Sequence, residues 1–206
     1  MEKGIFITLE GGEGTGKSSQ IGFIKKWLEH NEIPYITTRE PGGTQLGEQL
    51  KDIIKFANYP INTRAELMLL NACRTQLMDE VILPSLEKGV SVVCDRFFDS
   101  TYAYQYKGRG QDKDDVVYMC NFATFGKQPD YTFWLDLNPR DAFIRKNGPD
   151  QTDRFETTDF SFHERVYEGY KELNEKLDRF IRIDASKSIA EVSKQIEEHL
   201  KRIFNK

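Results

Sequence analysis

The chain has 206 residues, with 29 Lys and Arg against 33 Asp and Glu and a formal net charge of −4. That length suits one domain, and the charge excludes a global basic field of the kind that binds nucleic acid. No apolar run is long enough for a membrane span or signal peptide, and the three cysteines and three histidines show neither CxxC nor metal-ligand spacing, which leaves Cys73, Cys94 and Cys120 as buried thiols of a reducing, cytoplasmic protein.

The first predicted element is a strand, Ile5–Leu9, almost continuously apolar as suits burial on both faces of a parallel sheet. The stretch Gly11 to Ser18, GGEGTGKS, then satisfies G-x-x-x-x-G-K-[ST] between that strand and a predicted helix, Ser18–His30, which carries Ile21, Ile24, Trp27 and Leu28 on one face. Glycines at 11, 12, 14 and 16 let backbone N–H groups approach phosphate, and the helix N-terminus adds partial positive charge. Lys17 is placed to reach the β and γ phosphates and Ser18 to hold Mg²⁺. Glu13, an acid in a loop built for anions, is the anomaly. The motif leaves the acceptor open between water, a protein, a sugar and a nucleotide. No D-x-x-G or N-K-x-D marks a switch GTPase, and motor or helicase ATPases run longer, so a small-molecule kinase fits best.

A second strand, Tyr35–Thr38, leads into Arg39-Glu40-Pro41-Gly42-Gly43-Thr44. Ala65–Leu83 is apolar almost all round, which predicts cover on more than one side, by the sheet and by a partner subunit. A third strand, Val90–Cys94, is followed by Asp95-Arg96-Phe97-Phe98-Asp99-Ser100, and a fourth spans Thr132–Leu137. Lys146–Asp153, broken by Gly148-Pro149, reads equally as a plain connection and as a lid. A fifth strand, Phe180–Ile183, leads to Asp184-Ala185-Ser186 and a last helix striped by Ile189, Val192, Ile196, Leu200 and Ile203. Alternating strands and helices give an α/β fold with right-handed crossovers, whose ligands bind beyond the carboxyl ends of the strands. Arg39 and Arg96 stand at two such ends beside acids. If the acceptor is itself a phosphate, two polyanions must meet, and Lys17, Mg²⁺, Arg39 and Arg96 would separate their charges.

Together FITLEGGEGTGKSSQ, TREPGGT and DRFFDSTYAYQ resemble the thymidylate kinase family in order and spacing, over essentially the whole chain. The resemblance implies one P-loop NTPase domain over residues 1–206: a five-stranded parallel sheet flanked by helices on both faces, with a short lid at about 146–154. It implies a cytoplasmic homodimer without nucleic-acid or membrane partners that transfers the γ-phosphoryl of MgATP to dTMP, giving dTDP and ADP on the way to dTTP. Donor binding would fall to Gly11, Gly12, Glu13, Gly14, Thr15, Gly16, Lys17, Ser18 and Ser19, with Arg145 stacking on adenine beside Asp184, Ala185 and Ser186. Arg96 would bridge the two phosphates, with Asp95 near the metal. Glu13 would lie by the acceptor's 3′-hydroxyl, Arg39, Glu40 and Pro41 beside its phosphate and sugar, and Ser100 close by. Arg74, Thr101 and Gln105 match positions at the base, and Tyr104 the aromatic that crowds the sugar's 2′ position.

Two departures stand out. Leu70 replaces the phenylalanine usual one turn before Arg74, with Phe97 or Phe98 as the ring that could compensate. The segment NGPDQT holds no arginine, leaving Lys146 or Arg154 as the lid cation. The alternatives are a kinase for another deoxynucleoside monophosphate and a non-catalytic ATP-binding module.

Overall fold

The computed structural model describes residues 3–146, 153–155 and 158–206. Five strands, β1 Phe6–Glu10, β2 Tyr35–Arg39, β3 Ser91–Asp95, β4 Tyr131–Asp136 and β5 Phe180–Asp184, form one sheet in the order β2-β3-β1-β4-β5, with every pairing parallel. All five expected strands are present, most of their ends one residue from the expected ones. The ladder sets those ends: Leu9 pairs with Asp95 and Glu10 with Trp134, so β1 and β3 run on into acids that an apolar count leaves out.

Side chains alternate between the two faces. Ile7, Leu9, Val93, Phe133 and Leu135 pack under α1 (Lys17–His30) and α9 (Ile189–Ile203), through Ile24, Leu28, Ile196 and Leu200. The opposite face carries Phe6, Thr8 and Glu10 of β1. It is covered by α2 (Gln45–Phe56), α3 (Thr63–Leu77), a π-helical turn (Met78–Ile82), α4 (Leu83–Glu87), α5 (Phe98–Thr101), a second π-helical turn (Tyr102–Gly108) and α8 (Phe160–Lys176), with α6 (Lys113–Ala123) packed on α3 and the second π-helical turn. A further helix, α7 (Pro139–Lys146), follows β4. The stretch Ala65–Leu83 is thus α3, the first π-helical turn and the start of α4; Leu67, Leu77, Met78 and Ile82 are buried, while Met68 is 59 % exposed. The expected lid lies mostly outside the described residues, since residues 147–152 are not among them.

Candidate active site

Beyond the carboxyl ends of β1, β2 and β3 lies a cavity of about 570 Å³. On one side is the glycine loop. Gly14 and Gly16 adopt φ +72° and +92°, and a Cβ on Gly14 would stand 2.6 Å from the Ala142 carbonyl oxygen, so only glycine fits there. No side chain caps the first turn of α1, which leaves its N–H groups for a ligand in the cavity. Thr15 Oγ1 donates to the Gly12 carbonyl at 3.1 Å, tightening the loop. Gly14, Thr15, Gly16, Lys17, Ser18 and Ser19 line the cavity, with Gly11 and Gly12 in the turn behind them. Lys17 Nζ donates to the carbonyls of Gly11 at 3.1 Å and Gly12 at 2.8 Å. Burial, then the neighbouring Arg96, lower its pKa to about 8.

The floor is an acid cluster set on the β1 and β3 ends. Glu10 is fully buried; its Oε1 accepts from the Phe97 N–H at 2.7 Å, and its Oε2 from Ser100 Oγ at 2.6 Å and Tyr170 OH at 3.0 Å. Burial, with Asp99 nearby, raises its pKa to about 7. Arg96 sits in the left-handed region at φ +68°, a strained position for a non-glycine residue, pinned where its N–H donates to the Leu9 carbonyl at 3.0 Å. Its Nη1 donates to the Gly11 carbonyl at 2.8 Å and Ser100 Oγ at 3.1 Å, its Nη2 to Glu13 Oε1 at 2.5 Å. Tyr104 OH also donates to Glu13 Oε1, at 3.3 Å, and the Arg96 guanidinium lies 5.1 Å from the centre of the Tyr104 ring. Glu13, Arg96 and Tyr104, distant in sequence, thus meet at the cavity wall. Asp95 Oδ1 is buried without a hydrogen bond, and Asp95 lines the cavity with Ser18. A carboxylate oxygen left without a donor beside a hydroxyl fits Mg²⁺, a cation that takes few protein oxygens and fills its shell with phosphate and water.

The far wall comes from β2, α2, α3 and the second π-helical turn. Arg39, at the β2 end, donates through Nη2 to both carboxylate oxygens of Glu48 at 3.0 Å, and Glu48 is held down to about 2 by Lys51, the Gly43 N–H and Arg39. Glu40, Pro41, Leu70, Thr101 and Gln105 line the wall. Arg74 is 1 % exposed, and its five N–H groups are all engaged within the chain. They reach Glu40 through Nε and Nη2, Thr101 at 2.9 Å, Asn71 at 2.9 Å and, most weakly, Cys120 Sγ at 3.7 Å. Of the two rings named above as substitutes for a phenylalanine at position 70, Phe97 lines the cavity and Phe98 does not.

Arg145, on α7, lines the cavity and donates to the carbonyls of Ala185 at 2.6 Å and Ser186 at 2.7 Å, while Ser186 N–H and Oγ donate to Asp184 Oδ1 at 3.0 and 2.5 Å. The expected adenine-side residues are therefore brought together. The Lys146 side chain lies outside the described residues. Arg154 does not line the cavity; its guanidinium donates to the Ile54 carbonyl at 2.8 Å and Glu66 at 2.9 Å.

A family model for thymidylate kinase matches residues 9–196. The chain belongs to the thymidylate kinase family. It is 43 % identical over 195 residues to a thymidylate kinase of Carboxydothermus hydrogenoformans, covering 95 % of this chain and 96 % of that one. It is 42 % identical over 188 residues to one from an Exiguobacterium species (90 % and 89 % covered) and 40 % identical over 205 residues to one from Clostridium novyi (98 % and 100 % covered). Several residues of the site were not expected from the sequence. Lys51, Lys55, Asp153 and Phe155 line the cavity, and Glu10 and Tyr170 fasten its floor. Lys51 and Lys55, one helical turn apart on α2, were the most discoverable, as a basic pair on one face.

Proposed function

We propose that this chain transfers the γ-phosphoryl group of ATP to dTMP, giving dTDP and ADP, with the residues described above in those roles. The observation that carries the reading is one cavity lined by the phosphate loop, by the Glu13 carboxylate with the Tyr104 ring, and by Arg96, which contacts all three. Lys17 and the α1 N–H groups neutralise the donor phosphates. Ser18 Oγ and the Asp95 carboxylate would hold Mg²⁺, which when bound draws charge off the β and γ oxygens. Arg96 spans donor and acceptor phosphates, its planar fork suited to both. The bond from γ-phosphorus to the bridging oxygen breaks toward ADP as a dTMP phosphate oxygen bonds to phosphorus. That oxygen is already anionic, so no side chain has to remove a proton, and the work is positioning and charge stabilisation. Glu13 accepts from the 3′-hydroxyl, and the Tyr104 ring fills the space a 2′-hydroxyl would need. Lys146 stands as the candidate lid cation, whereas Arg154 is turned away from the cavity to the Ile54 carbonyl and Glu66. Coupled ADP release with a panel of nucleoside monophosphates tests the reading. Turnover is expected with dTMP ahead of dUMP, dCMP, dGMP and UMP; no turnover with any of them would leave an ATP-binding module.

The homodimer belongs to the same proposal. Ala65, Met68 and Ala72 form an exposed stripe on α3, and Tyr118 and Phe122, one turn apart on α6, are 68 % and 71 % exposed. A second copy of this chain would cover both. No helix among the described residues is long and apolar enough to cross a membrane. The three buried, unpaired cysteines, with burial raising Cys73 to about 12 and Cys120 to about 11, support a cytoplasmic setting.

A further inference from the structure

We infer that Glu66 decides which base the cavity accepts, by fixing which edge of the Gln105 amide faces the ligand. The inference rests on the dTMP reading above and deepens it. Gln105 lies on the second π-helical turn, is 1 % exposed and lines the cavity. Its Nε2 donates to Glu66 Oε1 at 3.1 Å. Glu66 is 1 % exposed in the first turn of α3, where the helix dipole favours an anion. The same carboxylate takes Arg109 Nε and Nη2 at 3.3 and 3.4 Å and Arg154 Nη2 at 2.9 Å. A carboxylate ringed by two guanidinium groups is an acceptor only. The reversed amide would set oxygen against oxygen in a buried place, so Gln105 must turn its nitrogen to Glu66.

The Gln105 oxygen is then the edge left over, and among the described residues no donor is bonded to it. Arg74, at the same wall, has its N–H groups engaged within the chain, on Glu40, Asn71, Thr101 and Cys120. The base therefore meets a fixed acceptor. Thymine and uracil carry a ring N3–H that satisfies it, whereas cytosine presents the N3 lone pair and leaves two acceptors face to face. Sites that read a polar hydrogen reject an analogue lacking it far more strongly than apolar pockets reject a missing methyl. Selection of a base with an N3–H over cytosine thus originates in Glu66, which need not touch the ligand.

Kinetics of Glu66→Gln against dTMP, dUMP and dCMP test this. A glutamine there can accept or donate, so the Gln105 amide becomes free to reverse. The kcat/KM ratio of dTMP to dCMP should narrow by about tenfold or more, because dCMP improves. The ratio of dTMP to dUMP, which share the N3–H, should stay within about twofold. Arg109→Gln, which loosens the cluster but keeps the acceptor, should lower Tm and leave both ratios in place. All three substrates falling together in Glu66→Gln, or the same narrowing in Arg109→Gln, overturns the inference. If Glu66→Gln does not fold, the side-chain ¹⁵N–¹H₂ resonance of Gln105 in the unsubstituted protein decides. It should stay protected and nearly unshifted when dTMP binds; a large shift of both protons would mean that the nitrogen faces the ligand. A native preference for dCMP would sink the base assignment and this inference together, whereas a native preference for dTMP with unaltered ratios in Glu66→Gln sinks only the role of Glu66.

Discussion

Donor binding should depend on pH through Lys17. In the ligand-free loop its pKa falls from 10.5 to about 8, because burial and Arg96 disfavour the charge more than Glu13, Asp95 and Glu10 support it. That is about 3 kcal/mol against the ammonium. A triphosphate next to Nζ supplies the missing counter-charge, so binding selects the protonated form. The sign follows: affinity is full well below pH 8 and is lost as pH rises through it. From pH 7 to pH 9 the protonated fraction drops about tenfold, so the Kd for MgATP should rise about tenfold, roughly 1.4 kcal/mol, and by a further decade per pH unit beyond. Titration calorimetry in buffers of different ionisation enthalpy should show nearly one proton taken up per ATP at pH 9 and almost none at pH 7. A Kd that stays flat from pH 7 to 9.5, or an equal slope in Lys17→Met, would refute the reasoning.

Arg96→Ala should lower kcat by about a thousandfold while moving the KM for ATP much less, since its charge is needed most when the phosphoryl group is in flight; steady-state kinetics within tenfold of the parent would contradict that. Glu10→Gln probes the raised carboxyl. Its pKa rises from 4.5 to about 7 on folding, so its contribution to stability is full below pH 4.5 and is lost as pH rises through 7, about 3 kcal/mol in all. The Tm of the parent should therefore fall relative to Glu10→Gln between pH 5 and 7.5, and parallel Tm profiles would exclude the shift. Tyr118→Asp with Phe122→Asp should convert a dimer into a monomer on size exclusion with light scattering. A parent protein that is already monomeric at tens of micromolar, about the scale on which weak interfaces part, would remove the second copy from the proposal.

The phosphate loop was legible because its geometry is local: eight consecutive residues, a strand before and a helix after, settle where the N–H groups and Lys17 go. Strand number and type were legible for a similar reason, since buried parallel strands are short apolar runs. Their ends were not, because those follow the pairing of Leu9 with Asp95 and of Glu10 with Trp134. The first turn of the helix was likewise expected at Ser18, whereas α1 begins at Lys17, with Gly16 in the left-handed region as its cap.

The amino-acid order alone determined an α/β sheet, a nucleotide loop, arginines at two strand ends and, through three motifs, the family. Tertiary structure decided which side chains share an environment. Glu10 becomes a buried acid only because β1 lies between β3 and β4 under Tyr170 of α8. Glu66, 39 positions from Gln105 and 88 from Arg154, becomes the acceptor for both only because α3 packs beside the second π-helical turn and the chain returns across α2. Local spacing fixes backbone geometry over a few residues, but burial and hydrogen-bond polarity are set by neighbours that the chain brings in from far away.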